Sequence, residues 1–415
     1  MANTLTPNVG NPGSVSDFFY PIAGAATGDA GIEANVEIGV RLTMRLRYLY
    51  CYVITAPESF NCTITLRKSG ADTSRSVTYN IGQSGIKENN NSAIDYAVTD
   101  EVNYYLSTGG DAIFTLGATA ITLIPTLTNS NSVITIVASR GPTMISVTSA
   151  VYNAMNGQLI ENTTENPTKF SAGQTFTAKK FYVYVSSNTG TDDCRFGTRV
   201  NGVDGNMTVT YLGGQTGAKE DASNTDSIGI GDDFNYYLID STDMGFSLTM
   251  TVEIISCHLV KTTNVNGFSP IMASSVDGVS ILFNTTTYAG CAGDLVFDTI
   301  EASTQVRPRF SLTAQQLGSY VTTNTITTSA TVVRVRDNGV DSAVTVSYNA
   351  GQTGLKTDNT NKAGIRSGLD QLNYKVVTPN TSGSITFSYI GLLTKQEQLS
   401  KNLFIYQSVN RASTY

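Results

Sequence analysis

The chain contains no tryptophan and only one histidine among its 415 residues. Immunoglobulin domains pack a tryptophan in their core, so its absence disfavours an immunoglobulin-like unit. His258 directly follows Cys257, and neighbours in a strand point to opposite faces, so the two cannot form a catalytic dyad. A zinc site would need a cluster of His and Cys ligands. We therefore expect His258 to be structural, and the sequence predicts no catalytic, cofactor-binding or metal-binding residue and no enzymatic activity.

Charged residues are also scarce, at 14%, and the formal net charge is −7. A diffuse acidic balance argues against nucleic acid or an anionic membrane as a main partner. No apolar run approaches the roughly 20 residues of a membrane-spanning helix. The N-terminal sequence MANTLTPNVGNPGSVS has neither a basic nor an apolar signal region. We therefore expect synthesis in a host cytoplasm without a signal peptide, with no nucleic-acid and no membrane partner.

The cysteines are few, scattered and odd in number: Cys51, Cys62, Cys194, Cys257 and Cys291. A disulfide framework needs an even set in a small secreted domain. Cys51 lies in the apolar stretch Tyr48–Ile54. We expect the five cysteines to be buried free thiols.

One segment occurs three times in the chain. In the clearest copy Arg336 comes first, Tyr348 follows 12 residues later, and Gly-Gln-Thr-Gly begins at Gly351. Lys356 lies two residues beyond that motif, and Asp-x-x-Asn-Tyr closes the copy from Asp370. The same anchors recur at Arg67, Tyr79, Gly82, Lys87 and Asp100, and at Arg199, Tyr211, Gly214, Lys219 and Asp232. Five anchors at near-constant spacing identify three homologous units.

The period of the repeat defines the domains. Gly82 and Gly214 are 132 residues apart, and Gly214 and Gly351 are 137 apart. This length suits a complete β-sandwich and far exceeds a solenoid repeat. We predict an N-terminal arm at 1–13, β-sandwich repeats at 14–143, 144–267 and 268–394, and a C-terminal tail at 395–415 that has room for a short helix before Leu403.

Strand and turn signals dominate each unit. Val333 and Val335 alternate with arginines, and Asn338-Gly339 suits a type I′ hairpin turn. No long stretch has helical periodicity, and each unit offers about eight short strands. We assign Val133–Val137 to the end of the first sandwich. The predicted fold is all-β: three tandem homologous antiparallel β-sandwich domains of jelly-roll or related Greek-key type.

The repeated motifs indicate structural tasks. Gly-Gln-(Ser/Thr)-Gly-x-Lys lacks the glycine spacing and the Lys-(Ser/Thr) of a phosphate loop, and it follows a strand instead of opening a helix. We interpret its glycines as permitting a bend, with the Gln and Lys pinning the loop. The Asp of Asp-x-x-Asn-Tyr should cap a turn, and its Tyr should face the core with the hydroxyl at the rim.

Clustered polar residues leave two alternatives open. Acids lie together at Asp192/Asp193 and Asp232/Asp233, with Glu220 and Asp221 nearby in sequence. Solvated turns explain them better than a glycosidase cleft, although an oxygen-rich loop could bind calcium. The Tyr104/Tyr105 and Tyr236/Tyr237 pairs are candidates for sugar binding. Lys375 takes the outer place in the third copy, which favours packing. Arg45 and Arg47 are expected to pair with acids of their own domain.

The pattern Arg-x-Asn-Gly-Val-Asp, followed by Thr-Val-(Thr/Ser)-Tyr and Ala-Gly-Gln-Thr-Gly, resembles β-sandwich modules in structural proteins of tailed phages and related viruses. The likeness is clearest at 336–374 and good at 199–236; at 67–104, Ser69 replaces the Asn. It covers about 40 residues per unit, roughly a third of the chain. The resemblance implies virion residence and a non-enzymatic role as a decoration, fibre or receptor-binding part. No functional residue carries over, because such modules share a scaffold and not a site.

We therefore expect a non-enzymatic structural protein of the virion. Our first choice is a capsid decoration or cement protein held by contacts with the major capsid protein or other virion proteins, with self-association as a further option. Three homologous domains in one chain can imitate a three-fold arrangement. The alternative is a receptor- or glycan-binding adhesin or fibre protein.

Overall fold

The computed structural model describes most of the chain between residues 18 and 409. The described ranges are 18–22, 32–40, 43–91, 93–109, 114–125, 133–147, 150–155, 157–159, 163–172, 175–240, 248–261, 268–291, 293–295, 297–305, 311–366, 370–379, 382–396 and 405–409. The regular secondary structure within them is β-strand, apart from 3-10 turns at Glu33–Asn35, Asn166–Thr168 and Glu301–Ser303. No helix in these ranges is long and apolar enough to cross a membrane. The predicted arm at 1–13 and the segment before Leu403 lie outside the described residues.

The strands are numbered along the chain. The first nine are β1 (Phe18–Pro21), β2 (Ile38–Gly39), β3 (Met44–Thr55), β4 (Cys62–Lys68), β5 (Ala71–Tyr79), β6 (Gly85–Asn89), β7 (Ile94–Tyr96), β8 (Glu101–Ser107) and β9 (Thr115–Pro125). The next ten are β10 (Val133–Val147), β11 (Val151–Asn153), β12 (Gly157–Gln158), β13 (Phe170–Ser171), β14 (Phe176–Asn188), β15 (Cys194–Val200), β16 (Val203–Tyr211), β17 (Gly217–Ile228), β18 (Asp233–Asp240) and β19 (Leu248–Lys261). The last twelve are β20 (Phe268–Leu282), β21 (Thr286–Ala289), β22 (Gly293–Asp294), β23 (Phe297–Asp298), β24 (Leu312–Asn324), β25 (Thr331–Asp337), β26 (Val340–Tyr348), β27 (Gly354–Asp358), β28 (Ala363–Ile365), β29 (Leu372–Val377), β30 (Ser384–Gln396) and β31 (Ile405–Val409).

These strands form six sheets, two for each sandwich. The second sandwich pairs β10-β19-β14-β17 in one sheet and β11-β18-β15-β16 in the other. The third repeats this with β20-β30-β24-β27 and β21-β29-β25-β26, and the first with β31-β9-β3-β6 and β1-β8-β4-β5. If the eight main strands of each unit are numbered 1 to 8 along the chain, the strand order is 1-8-3-6 in one sheet and 2-7-4-5 in the other. This is the topology of a jelly roll. The pairing along these orders is antiparallel. The predicted all-β fold of three tandem antiparallel β-sandwich domains is confirmed.

The repeated hairpin has the same burial in each sandwich. In β16, Met207, Val209 and Tyr211 are buried and alternate with more exposed neighbours, and β5 and β26 show the same end pattern. Fully burying one large apolar side chain contributes about 1.5–3 kcal/mol, so each sandwich can stabilise its own core. The turns behave as predicted: Asn338 and Gly339 have φ of 49° and 74°, as a type I′ turn requires.

Strand β10 crosses the boundary predicted at 143/144. All of its antiparallel partners lie in β19, from Val133 opposite Lys261 to Val147 opposite Leu248. The assignment of Val133–Val137 to the first sandwich is therefore wrong, because β10 opens the second. Alternating hydrophobicity marks a strand but does not identify the edge that it joins.

The tail predicted at 395–415 takes part in two sandwiches. Strand β30 of the third sandwich ends only at Gln396. Strand β31 pairs antiparallel with β9 of the first sandwich, with Ile405 opposite Thr122 and Val409 opposite Ala118. In the first sandwich β31 thus occupies the strand-1 position, which β10 and β20 occupy in the others.

Candidate functional site

The arginine that opens each repeat is held by a cluster of partners that we call the arginine clamp. In the third sandwich Arg336 Nε and Nη2 donate to the two carboxylate oxygens of Glu301, at 2.8 and 2.9 Å. Nη1 donates to Asp341, Nη2 also donates to the carbonyl of Gly339, and the guanidinium lies 5.7 Å from the ring centre of Tyr288. The clamp thereby ties the hairpin turn to the 3-10 turn that precedes β24.

The other two sandwiches repeat the clamp. Arg67 binds Glu33, Asp72 and the Gly70 carbonyl, and Arg199 binds Glu165, Asp204 and the Gly202 carbonyl. The sequence pattern predicted the arginine but not the glutamate. A signal was present, because a glutamate precedes the arginine by 34 residues in two copies and 35 in the third.

The clamp also shifts the ionisation of Asp341. Burial alone would raise the pKa of Asp341, but hydrogen bonds from Arg336, Arg334 and Lys375 outweigh it and lower that pKa to about 2. The Arg336 side chain is only 10% exposed. A largely buried guanidinium whose donors all contact carboxylates or carbonyls has a structural role, because neither it nor its carboxylate partners are open to a ligand.

The Gly-Gln-(Ser/Thr)-Gly-x-Lys motif forms a second repeated cluster, which we call the lysine brace. Gln352 Oε1 accepts from Lys356 Nζ at 2.5 Å and from the Asn349 backbone N–H at 2.9 Å. Lys356 Nζ also donates to the Ser347 carbonyl at 2.6 Å and lies 5.3 Å from the ring centre of Tyr348. All six motif glycines have positive φ: Gly82, Gly85, Gly214, Gly217, Gly351 and Gly354. The predicted bend and the pinning of the loop by Gln and Lys are confirmed.

The tyrosine that follows each arginine by 12 residues joins the two sheets of its sandwich. The Tyr348 hydroxyl lies 2.5 Å from the Ser319 carbonyl of β24 and 3.1 Å from the Gly354 carbonyl. Tyr211 meets the carbonyls of Val183 and Gly217, and Tyr79 those of Cys51 and Gly85. We call this residue the crossing tyrosine.

The Asp-x-x-Asn-Tyr segment caps a turn as predicted. Asp370 Oδ2 accepts the Arg366 backbone N–H at 2.7 Å, and Asp100 and Asp232 make the same contact with Ala97 and Gly229. The tyrosine hydroxyl is not at the rim, which corrects the prediction. Tyr104, Tyr236 and Tyr374 are buried; the Tyr374 hydroxyl donates to the Cys291 carbonyl at 3.4 Å, and that of Tyr236 contacts Cys257 Sγ at 3.3 Å.

The acidic residues act as backbone caps. Asp358 accepts the backbone N–H groups of Thr345, Thr360 and Asn361 at 2.9–3.2 Å. These bonds outweigh burial and lower its pKa to about 2. Asp221 caps the equivalent loop of the second sandwich. Among the described residues, no group of three or more His, Cys, Asp or Glu is arranged to hold a metal ion, so no cluster there favours the calcium alternative.

The cysteines are buried thiols, as predicted, and the histidine lies on a strand next to one of them. All five cysteines are buried and unpaired with one another. Cys257 belongs to the core of the second sandwich, and burial raises its pKa to about 12. His258 is 2% exposed on the other face of β19, between Ile136 and Lys179 of the flanking strands. Arg45 pairs with Asp95 of its own sandwich at 2.5 Å, as predicted.

The three sandwiches contact one another through equivalent faces. Tyr182 and Ile254 of the second sandwich pack into the core cluster of the first, and Tyr389 and Leu393 of the third pack into that of the second. The junction between the third and first sandwiches brings Tyr52 within electrostatic range of Asp298. The register of β3, β14 and β24 makes Tyr52, Tyr184 and Tyr320 equivalent. One face of each sandwich therefore meets its neighbour head to tail.

Strand contacts close this arrangement. β20 of the third sandwich runs beside β12 of the second, and β31 of the first runs beside β22 of the third. Because β12 and β22 are equivalent, as are β20 and β31, the same contact recurs at both places. Head-to-tail contacts whose rotation closes form a ring. The three jelly rolls thus form a ring within one chain.

A pair of glutamates distinguishes the junction of the first and second sandwiches. Burial, followed by a hydrogen bond with Glu101, raises the pKa of Glu37 to about 8. Burial and the charges of Glu253, Glu101 and Glu37 raise the pKa of Tyr184 across the junction. The positions equivalent to Glu37 and Glu101 hold Lys169 and Asp233 in the second sandwich, and Gln305 and Gln371 in the third.

The junction of the second and third sandwiches contains a cleft. It has an empty volume of about 270 Å³ and lies between Phe170 of the second sandwich and Gly318, Tyr389 and Gly391 of the third. Gly318 stands at the position that Tyr182 fills in the second sandwich. The empty volume includes open solvent, and the cavity itself measures about 10 Å³, which is room for about one water molecule and not for a larger ligand.

Comparisons with known proteins identify no family. No family model and no curated protein matches the chain. Among solved structures it is similar to the insecticidal delta-endotoxin Cry8Ea1 from Bacillus thuringiensis, at 10% identity and a TM-score of 0.20, spanning 61% of this chain and 60% of the toxin. It is also similar to a Paenibacillus xanthan lyase at 10% identity (TM-score 0.18, 83% of this chain, 49% of the lyase) and to latent PorU from Porphyromonas gingivalis at 8% (TM-score 0.20, 82% and 33%). Similarities this low carry no argument about function.

Proposed function

We propose that this chain is a non-enzymatic structural protein of a virus particle, of the decoration or cement kind. The observation that carries the proposal is the ring of three like jelly rolls within one chain. In such a ring equivalent residues lie on one side, so the chain presents three like surfaces together. A three-fold position in a protein shell offers three like partner surfaces, and the major capsid protein or another virion protein is the partner that fits it.

The end of each sandwich that holds the clamp carries two exposed aliphatic side chains. These pairs are Ile32 and Val98, Val203 and Ile230, and Ile300 and Val340. Each lies beside the hairpin turn, the clamp glutamate or the capping aspartate. Single exposed apolar residues are ordinary on protein surfaces, but among the described residues each sandwich has two at this same end, drawn from three equivalent positions. We infer that this face, the clamp face, contacts the particle.

Particle binding tests the clamp face directly. The double variant Val203→Asp plus Val340→Asp should keep its circular dichroism spectrum and co-sediment less with particles stripped of this protein. Leu212→Asp is the matched control, because Leu212 is exposed at the opposite end of β16 and should bind as the parent does. Equal binding by the double variant would contradict the clamp face. Failure of the intact chain to bind any particle would contradict the proposed function.

The N-terminal arm is a second candidate for attachment. Residues 1–13 lie outside the described residues; their polar sequence with two prolines is of a kind that commonly orders on a partner. Deleting them should leave the three sandwiches folded and weaken co-sedimentation. Full-strength binding would exclude the arm from attachment, whereas a lost β-sheet signal would assign it to a core.

The adhesin alternative depends on exposed aromatic rings, and the candidate rings are buried or, at Tyr105, half-buried. Tyr237 is buried, with the guanidinium groups of Arg195 and Arg199 at 5.9 and 5.6 Å from its ring centre. Arg67 lies 5.2 Å from the ring centre of Tyr105. This packing favours the structural role. A saturable glycan-array signal that is lost in Tyr105→Ala plus Tyr237→Ala would support the adhesin instead.

A further inference from the structure

The strand-1 position is filled differently in the first sandwich. In the second and third sandwiches strand 1 is a 15-residue strand, β10 or β20. Only three residues (148–150 and 283–285) then lead to strand 2. In the first sandwich the position is filled by β31, a 5-residue strand from the far end of the chain. Its residues Ile405–Val409 pair with Ala118–Thr122 in the middle of β9, in the register that β10 has on β19.

The sequence explains why a distant strand fills this position. β1 is strand 2 of the first sandwich, and alignment with the other units makes residues 1–14 the sequence equivalent of β10, the strand 1 that precedes β11. They contain Pro7, Gly10, Pro12 and Gly13. Proline lacks the N–H that a ladder needs, and glycine weakens a strand, so this segment is poorly suited to pair with β9. The first sandwich therefore depends on a strand that is not contiguous with it.

We propose that the strand-1 position of the first sandwich is a docking site for the C-terminal strand of a second copy of this chain. The occupant must form the backbone hydrogen bonds that Ile405–Val409 forms with Ala118–Thr122. A second copy of the chain carries the identical strand and can therefore form them. Such exchange of an identical element is a low-cost route to dimers and longer assemblies. This inference is independent of the proposed particle function.

The topology makes β31 the exchangeable strand 1. β10 and β20 are each joined to strand 2 of their own sandwich by only three residues. Neither could move to another chain unless strand 2 also left its sheet. β31 has no such short connection to strand 2 of the first sandwich, and eight residues (397–404) link it to β30 of the third. The contacts made within one chain and between two chains are the same. Which form dominates therefore depends on the chain concentration. Exchange between chains is favoured when that concentration exceeds the effective concentration of β31 that the 397–404 link provides.

Two single-cysteine variants report the exchange. Gln407 lies directly opposite Ala120, and opposite residues of an antiparallel pair are about 4.5–5.5 Å apart at Cα, within disulfide range. Ala120→Cys and Gln407→Cys should be mixed, unfolded, refolded together at high concentration and oxidised. We expect a covalent dimer that disappears on reduction. The control pairs Gln407→Cys with Thr210→Cys on β16 and should give none. The five native cysteines are buried and should not interfere.

The double variant Ala120→Cys plus Gln407→Cys completes the test. A cross-linked monomer when dilute, and covalent oligomers after refolding when concentrated, would support the proposal. Cross-linked monomer at every concentration, with no dimer from the mixed single variants, would show that β31 stays in its own chain and would overturn it. Equal dimer from the control pair, or no cross-link at all, would overturn it as well.

A peptide provides a readout that does not depend on cysteine. A chain ending at residue 404 should leave the strand-1 position open. A fluorescent peptide of residues 397–415 should bind this shortened chain and bind the full chain much more weakly. Unlabelled full chain, concentrated, should compete through its own β31. A peptide that binds neither chain would contradict docking in trans.

Discussion

In the first and third sandwiches the arginine clamp, the lysine brace and the crossing tyrosine make the same contacts. The differences lie where each sandwich meets the rest of the ring. The first takes strand 1 from the far end of the chain, and the third takes it from the adjoining β20. Near the junction the first places Glu37 beside Glu101, at positions where the third has Gln305 and Gln371. Local motifs thus preserve the unit, while the junctions have diverged.

The largest expected effect comes from breaking an interaction that both sandwiches share. Arg336→Ala leaves Glu301 without its cation in a mostly buried site and removes one of the three cations that contact Asp341, which should cost about 3 kcal/mol or more. Guanidinium unfolding followed by circular dichroism measures the loss, and Arg67→Ala should behave alike. Arg334→Ala is the control: its side chain is 37% exposed, so the loss should stay below about 1 kcal/mol. Equal losses at 336 and 334 would contradict the clamp.

A second change makes the first sandwich resemble the third. The pKa of Glu37 is raised from 4.5 to about 8, so the folded chain holds its proton more tightly than the unfolded chain. Its contribution to stability is therefore complete below about pH 4.5 and is lost as the pH rises through 8. Glu37→Gln should remove this loss and gain about 2 kcal/mol at pH 9, allowing for solvent near Glu101.

Thermal melts between pH 5 and 9 measure this difference. The melts at pH 5 supply the control, because Glu37 keeps its proton in the folded chain there and the parent and Glu37→Gln should differ least. A Glu37→Gln variant whose stability falls with pH as steeply as the parent's would show that the glutamate pair does not distinguish the two sandwiches.

Turn strain should have a smaller effect. Gly339 has a φ of 74°, and a valine there would cost about 1–2 kcal/mol through left-handed strain. Gly364 of β28 has no atom within 4 Å of an added Cβ and no positive φ, so Gly364→Val should be nearly neutral. Chemical denaturation compares the two variants. Identical melting would disprove the type I′ turn.

The smallest effect concerns the one turn residue that differs. Asn338 donates to Asp370 at 2.7 Å and accepts the Gln371 N–H at 2.9 Å, whereas the shorter Ser69 accepts the Glu101 N–H at 3.2 Å and also bonds Asp100. Ser69→Asn should therefore stabilise the first sandwich by about 0.5–1 kcal/mol, and Asn338→Ser should weaken the third similarly. Changes of the same sign in the two variants would show that the turns are not equivalent.

The repeat could be interpreted from sequence because its interactions are short-range. Gln352 reaches Lys356 and Asn349 within a few residues, so constant spacing implies constant contacts. The clamp was only half predicted, since Glu301 lies 35 residues before Arg336 and only the near-constant separation across the three copies marks it. The Tyr374 hydroxyl was misplaced because its acceptor, the Cys291 carbonyl, is 83 residues away.

The sequence by itself determined an all-β chain of three like units, because alternation and Asn-Gly or Gly-Gln-Thr-Gly turns are local properties of the backbone. Only the tertiary structure decided which sandwich receives β10, which end of the chain supplies strand 1 of the first, and which faces meet in the ring. A backbone ladder accepts almost any extended segment, so Ile405–Val409 carries no mark of its pairing with Ala118–Thr122. The choice depends on how all three sandwiches pack together.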